Sequence, residues 1–292
     1  MRYTIENESM KVEVESYGAE LKSLYGKETG IEYMWCANPE YYGRTAPNLF
    51  PFAGTLKNGE YTYKNQTYKM KSHGFARDME WAVKKESDTQ LTCTLVSDEK
   101  TRQKYPFDYT LTLIYTIAGR RLKITWKVQN DSNETMYFSL GFHPCFSCPV
   151  HGEDSKEGYS VDLHMKENAV CRDVDFETGL AQGTTTELAV TDGAVRITKE
   201  LFAGGSFIIE DNQTHKVSLK DRSGQDYLTV HFEAPLVVLW SYERKDSPFV
   251  AIEPWYGCCD FADASGRLEE RKWGNEIGGN EEFSCMYEIE IA

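Results

Sequence analysis

The feature that most constrains this chain is a hydrophobic period of two that recurs from its first residues to its last. In Leu122-Lys123-Ile124-Thr125-Trp126-Lys127-Val128 apolar and polar residues alternate without a break. Leu228, Val230 and Phe232 repeat the pattern, as do Leu111, Leu113, Tyr115 and Ile117, Val12 with Val14, and Tyr287, Ile289 and Ile291. Alternation of this kind makes antiparallel strands with one covered and one polar face. Ala118-Gly119, Asp192-Gly193, Ser223-Gly224 and Lys64-Asn65 supply turns between such runs. Helical candidates are short, at Asp98 to Lys104 and Leu268 to Trp273, and no sustained 3.6-residue stripe occurs. With no repeat and no Gly/Ser/Pro linker, the expectation is an all-β protein: a single large antiparallel β-sandwich over residues 1–292.

Composition narrows the partners. The 292 residues are 40% hydrophobic, enough to fill a sizeable core, and carry 32 basic against 46 acidic side chains, a net charge of −14. That balance argues against nucleic acid and anionic membrane, which require a basic field, and favours a neutral polar small molecule. The longest clean apolar run, Pro235 to Trp240, falls far short of the ~20 residues that span a bilayer. The N-terminal residues lack the apolar core of an export signal, so the eight irregularly spaced cysteines are expected to be reduced thiols in the cytoplasm. A monomer or loose homodimer is expected.

Three segments set titratable residues among aromatics. They are Gly43-Arg44-Thr45-Ala46-Pro47-Asn48-Leu49-Phe50-Pro51 with His73-Gly74-Phe75-Ala76-Arg77-Asp78; Gly141-Phe142-His143-Pro144-Cys145; and Ile252-Glu253-Pro254-Trp255-Tyr256-Gly257. Strand parity puts Phe138, Leu140 and Phe142 on one face and Ser139, Gly141 and His143 on the other. It likewise separates Val250 and Ile252 from Ala251, Glu253 and Trp255. His143 and Glu253 therefore project from their strands' non-aliphatic sides, at strand ends expected to stop at Pro144 and Pro254. A carboxylate among aromatics is raised toward neutrality and becomes a better base, and a histidine starting near ~6.5 needs little tuning to act as an acid. Aromatic faces beside them suit the C–H surface of a sugar ring. Each residue also has a structural reading: a histidine before proline is often a satisfied core residue, Glu253 could cap a turn, and Arg77 could pair with its neighbour Asp78.

Taken in order, these segments resemble the aldose 1-epimerase (galactose mutarotase-like) family, and within it the LacX-like subgroup, over nearly the full chain. The resemblance includes Glu281-Glu282-Phe283 before the last strand. It implies a β-sandwich with a sugar site on the concave face of one sheet, and reversible conversion of α and β anomers of a free aldohexose such as glucose or galactose. Carried over by position, His143 matches the general acid, Glu253 the general base, His73 a residue near the sugar ring oxygen, and Arg44 a contact to sugar hydroxyls. Arg77 and Trp255 complete the expected binding residues, and the chemistry calls for no metal or cofactor. The family's hydroxyl-binding aspartate has no counterpart near Gly204-Gly205-Ser206-Phe207; Glu210 and Asp211 come later.

Three other readings compete. His143-x-Cys145-x₂-Cys148-x₂-His151 has zinc-ligand residue types, although Pro144 and Pro149 interrupt it. A non-catalytic carbohydrate-binding protein would keep the aromatics and Arg44 without needing an acid and a base together. The His73–Arg77 run also resembles hexose-6-phosphate mutarotases, in which case Arg44, Arg77 and Lys71 would hold a phosphate.

Overall fold

The structure, a computed structural model, describes residues 1–242 and 246–292. Every alternating run named above forms a strand. Four of them lie side by side in a nine-stranded antiparallel sheet, in the order Asp226–Phe232, Glu282–Ile291, Arg121–Asn130, Tyr109–Ala118. Leu122, Ile124, Trp126 and Val128 are buried while Arg121 and Lys123 face solvent, as the period of two requires. The Lys64-Asn65 turn joins Glu60–Tyr63 to Gln66–Lys69 with both residues at positive φ, 48° and 63°, the conformation a type I′ hairpin demands.

A second, eight-stranded sheet packs against the first. Its central strand, Phe249–Tyr256, pairs with Leu236–Trp240 on one side and with Leu140–Phe142 and Cys145–Ser147 on the other. The core between the sheets joins Ile124, Trp126 and Tyr287 to Phe142, Val250 and Ile252. Phe142 alone has its ring 4.3 Å from Tyr287 and 5.6 Å from Trp126. Burying one such side chain is worth about 1.5–3 kcal/mol. The opposite face of the second sheet carries two smaller apolar clusters, one with Leu236, Val238 and Trp255, the other with Trp35, Cys145, Phe249 and Ala251. Glu253 and His143 lie between them.

Both helical candidates shrink. Glu99–Arg102 is one α-helical turn, held by a capping box in which Asp98 accepts from the Thr101 N–H. Leu268–Glu270 is only a 3₁₀ turn. The backbone turns extended at Arg271 (φ −64°, ψ 129°), whose guanidinium reaches inward to Asp260 and to the Cys258 carbonyl, the latter at 2.8 Å. Among the described residues no helix is long and apolar enough to cross a membrane.

Candidate active site

Strand register brings the two central residues together. Gly141 pairs with Trp255 and Cys145 with Ala251, so the same register, continued, sets His143 opposite Glu253. Their side chains meet on the sheet's outer face, His143 Nε2 lying 3.5 Å from Glu253 Oε2. The ladder is interrupted here because Pro144 and Pro254, one on each strand, lack N–H donors. Ile252 still donates to the Pro144 carbonyl at 3.2 Å. Pro254 does not end its strand, contrary to expectation: Phe249–Tyr256 runs through it, and only the ladder to the His143 strand is broken.

The pair is deeply buried, with 6% of His143 and 1% of Glu253 exposed. Burial therefore decides its protonation. It pushes the Glu253 carboxyl well above the usual range, a rise the Trp255 indole partly opposes. It lowers the His143 imidazole to about 3, its own carbonyl resisting and the Arg77 and Arg44 charges adding to the fall. The histidine expected to need little tuning is thus shifted downward, and the two opposite shifts share one cause: burial disfavours the charge on each group. Glu253 Oε2 and Trp255 Nε1 are buried and accept or donate no hydrogen bond.

His73 faces the pair, its ring 5.7 Å from His143 and 5.8 Å from Trp255. It sits at φ +66° in the loop before Gly74, and that loop is clamped where the Phe75 and Ala76 N–H groups both donate to the Phe50 carbonyl, at 3.0 and 3.1 Å. The Gly54 N–H donates to His73 Nδ1 at 3.1 Å. Burial, then the neighbouring His143, Arg77 and Arg44, hold this imidazole well below its usual pKa. A neutral ring accepting at Nδ1 carries its proton on Nε2, free to donate to a ligand.

Arg44 is fixed from behind. Glu20 Oε1 accepts from the Thr45 and Ala46 N–H groups at 2.6 and 3.1 Å, pinning the chain just after it. Its guanidinium pairs with Asp78 and donates to the Arg77 carbonyl at 3.2 Å. Asp78 therefore pairs with Arg44, 34 residues away, and not with its neighbour Arg77. Arg77 instead donates to the Ser72 carbonyl at 2.9 Å and keeps a buried, unpartnered Nε.

The six expected residues thus converge, with His143, Glu253, His73 and Trp255 at the centre and the two arginines at the border. Residues not assigned from sequence also line the pair. Tyr42 stacks on His143, Trp240 sets its ring edge against both, and the Cys145 sulfur lies 3.7 Å from His143 Nδ1. Trp240 shares the row of Ala251 on the neighbouring strand, so parity could have found it once the strand order was known. Glu210 lies two residues beyond Ile208, whose neighbour Val238 borders Glu253. Its carboxylate is engaged by Arg172 and by Trp273 Nε1 at 3.3 Å. Among the described residues no three His, Cys, Asp or Glu side chains are placed to hold a metal, so the His143–His151 spacing does not form a zinc site.

The chain is similar to known proteins over its full length. The aldose 1-epimerase family profile matches residues 1–265. Protein LacX (chromosomal) of Lactococcus lactis subsp. lactis is 29% identical, the match covering all of this chain and 99% of that one. The crystal structure of a galactose mutarotase related enzyme from Lactobacillus acidophilus superposes with a TM-score of 0.94 at 35% identity, over 100% of this chain and 97% of that one. A galactose mutarotase-like protein from Lactobacillus casei ATCC 334 gives 0.93 at 28% identity with both chains fully covered. A family profile spanning most of the chain, a relative of near-equal length and a sheet that delivers the expected residues to one face lead to one conclusion: the chain belongs to the aldose 1-epimerase family.

Proposed function

We propose that the protein interconverts the α and β anomers of a free aldohexose such as glucose or galactose, with Glu253 and His143 exchanging the protons. The observation that carries this reading is the buried acid–base pair in which Glu253 Oε2, 3.5 Å from His143 Nε2, and the neighbouring Trp255 Nε1 make no hydrogen bond within the protein. An unpaired buried polar group costs about 1–3 kcal/mol, and sugar hydroxyls supply the missing donor and acceptor. In the reaction, Glu253 takes the C1-hydroxyl proton while His143 protonates the ring oxygen, and the ring opens to the aldehyde. Rotation about C1–C2 and closure on the other face reverse both transfers. Ring opening converts an imidazolium and a carboxylate into a neutral imidazole and a protonated carboxyl, the direction in which burial pulls both groups. His73 Nε2–H is available to the ring oxygen, and Arg44 to a hydroxyl at the border.

A second reading, a hexose 6-phosphate as substrate, has one specific observation behind it. A hollow of about 800 Å³ beside the arginines is lined by Lys69, Lys71 and Lys104 together with Arg44 and Arg77, against one acid, Asp78. Anomer exchange followed by NMR for glucose, galactose and glucose 6-phosphate separates the two. Faster exchange of the free sugars is the expected result. Preference for the 6-phosphate, lost in Lys71→Glu, would replace the first reading with the second, and binding without exchange would point to a carbohydrate-binding protein.

A further inference from the structure

We infer that Tyr42 is a positioning residue for the proton-exchanging pair, its ring holding the His143 imidazole in one plane and shutting water off its face; this rests on the reading of His143 and Glu253 given above. The two rings are stacked, centroids 5.3 Å apart and planes 15° from parallel. Trp240 braces the stack edge-on, 5.0 Å from Tyr42 and 5.5 Å from His143. An imidazole that must deliver a proton in a fixed direction is ordinarily oriented by a hydrogen bond at its other nitrogen. Here Nδ1 meets the Cys145 sulfur at 3.7 Å, a poor orienter. Stacking takes over that task.

The loop bearing Tyr42 is built to keep it in place. The Trp35 indole N–H donates to the Tyr42 carbonyl at 2.8 Å, and the Tyr41 and Tyr42 N–H groups both donate to the Asn38 carbonyl. Trp35 in turn packs 5.0 Å from Phe249 and hydrogen-bonds through its backbone to Cys145, tying the loop to the strands that carry the pair. The Tyr42 ring is half-buried at the margin of the small Trp35, Cys145, Phe249 and Ala251 cluster, outside the core between the sheets, so truncating it exposes the imidazole face and leaves that main core intact.

Charged and titratable groups face His143 from each neighbouring element: Glu253 from the central strand, His73 and Arg77 from the 71–78 loop, Arg44 from the loop after Tyr42, and Cys145 from its own strand. Removing Tyr42 leaves all of these charges in place and takes away the stacked ring that fixes the imidazole plane and covers its face. Tyr42→Ala is expected to lower kcat about 10- to 100-fold with little change in KM, and to move the acid limb of the kcat profile upward as water stabilises the imidazolium. Tyr42→Phe, which keeps the ring, is expected to restore both. An unaltered kcat and pH profile in Tyr42→Ala would overturn the inference, as would a change confined to KM, which would make the ring a sugar platform. An NMR titration of the His143 imidazole, assigned against His143→Asn, reads the same effect without turnover. A raised midpoint in Tyr42→Ala supports the inference even if the sugar reading fails, and an unmoved midpoint sinks it even if the sugar reading holds.

Discussion

Replacing Glu253 by Gln is expected to remove nearly all anomerisation and, at the same time, to raise the melting temperature at alkaline pH. The first effect follows from losing one positioned proton transfer, worth ~10²–10⁴ in rate or about 3–5 kcal/mol of barrier. The second follows from burial. Glu253 is 1% exposed and its carboxyl is raised well above its unfolded value, so over the intervening pH range the folded state holds a proton that the unfolded chain has released. Stability from this group is present below the unfolded pKa and declines as pH rises through the folded one. His143 has the opposite sign: its folded pKa of about 3 lies below the unfolded value, so its effect improves stability as pH rises toward ~6.5 and then levels off. Between about pH 4.5 and 6.5 the two trends oppose each other; above that range only the Glu253 decline remains. Gln cannot ionise, so in thermal melts the gain of Glu253→Gln over wild type should grow as pH rises above 6.5 and level off once the folded carboxyl ionises. An equal melting temperature across that range would show that the carboxyl is not held against ionisation. His143→Asn should match the loss of activity without this alkaline gain.

Gly74→Ala is expected to be the most damaging single methyl in the site region. Gly74 has φ +69°, and a Cβ there would lie 2.2 Å from the Phe50 carbonyl oxygen and 2.7 Å from the Pro51 nitrogen, backbone atoms that cannot step aside. Left-handed conformation costs an L-residue about 1–2 kcal/mol, and forced overpacking about 1–3 more. A loss of roughly 2–5 kcal/mol in denaturant unfolding is therefore expected. Gly119→Ala is the control, since its φ is +57° with no atom within 4 Å of a Cβ; only the conformational cost should appear. Any folded Gly74→Ala protein should also have a raised KM, because the displaced loop carries His73 away from the Gly54 N–H. Equal losses in the two variants would mean that the close approach to Phe50 contributes nothing.

The strands were legible because each needs only local alternation, and the parity that put His143 and Glu253 on non-aliphatic faces holds in the structure. What parity could not supply was their adjacency. That depends on the order in which Phe249–Tyr256 and Leu140–Phe142 join the sheet, a pairing between segments over a hundred residues apart. Pro254 misled for the same reason, since a proline looks like a strand end until its neighbour strand is known. Arg44 with Asp78 is another long-range choice, hidden behind the nearer Arg77. Tyr42 was quoted in its segment but given no role: an irregular loop has no period, and only the stacked rings reveal what it touches.

The central claim is that His143 and Glu253 act together on a sugar ring. Polarimetry of freshly dissolved α-glucose and α-galactose, with wild type, His143→Asn and Glu253→Gln at equal concentration, tests it most directly. Saturable acceleration by the wild-type protein, falling to near the buffer rate in both variants, is the predicted result. Acceleration that survives either substitution would contradict it.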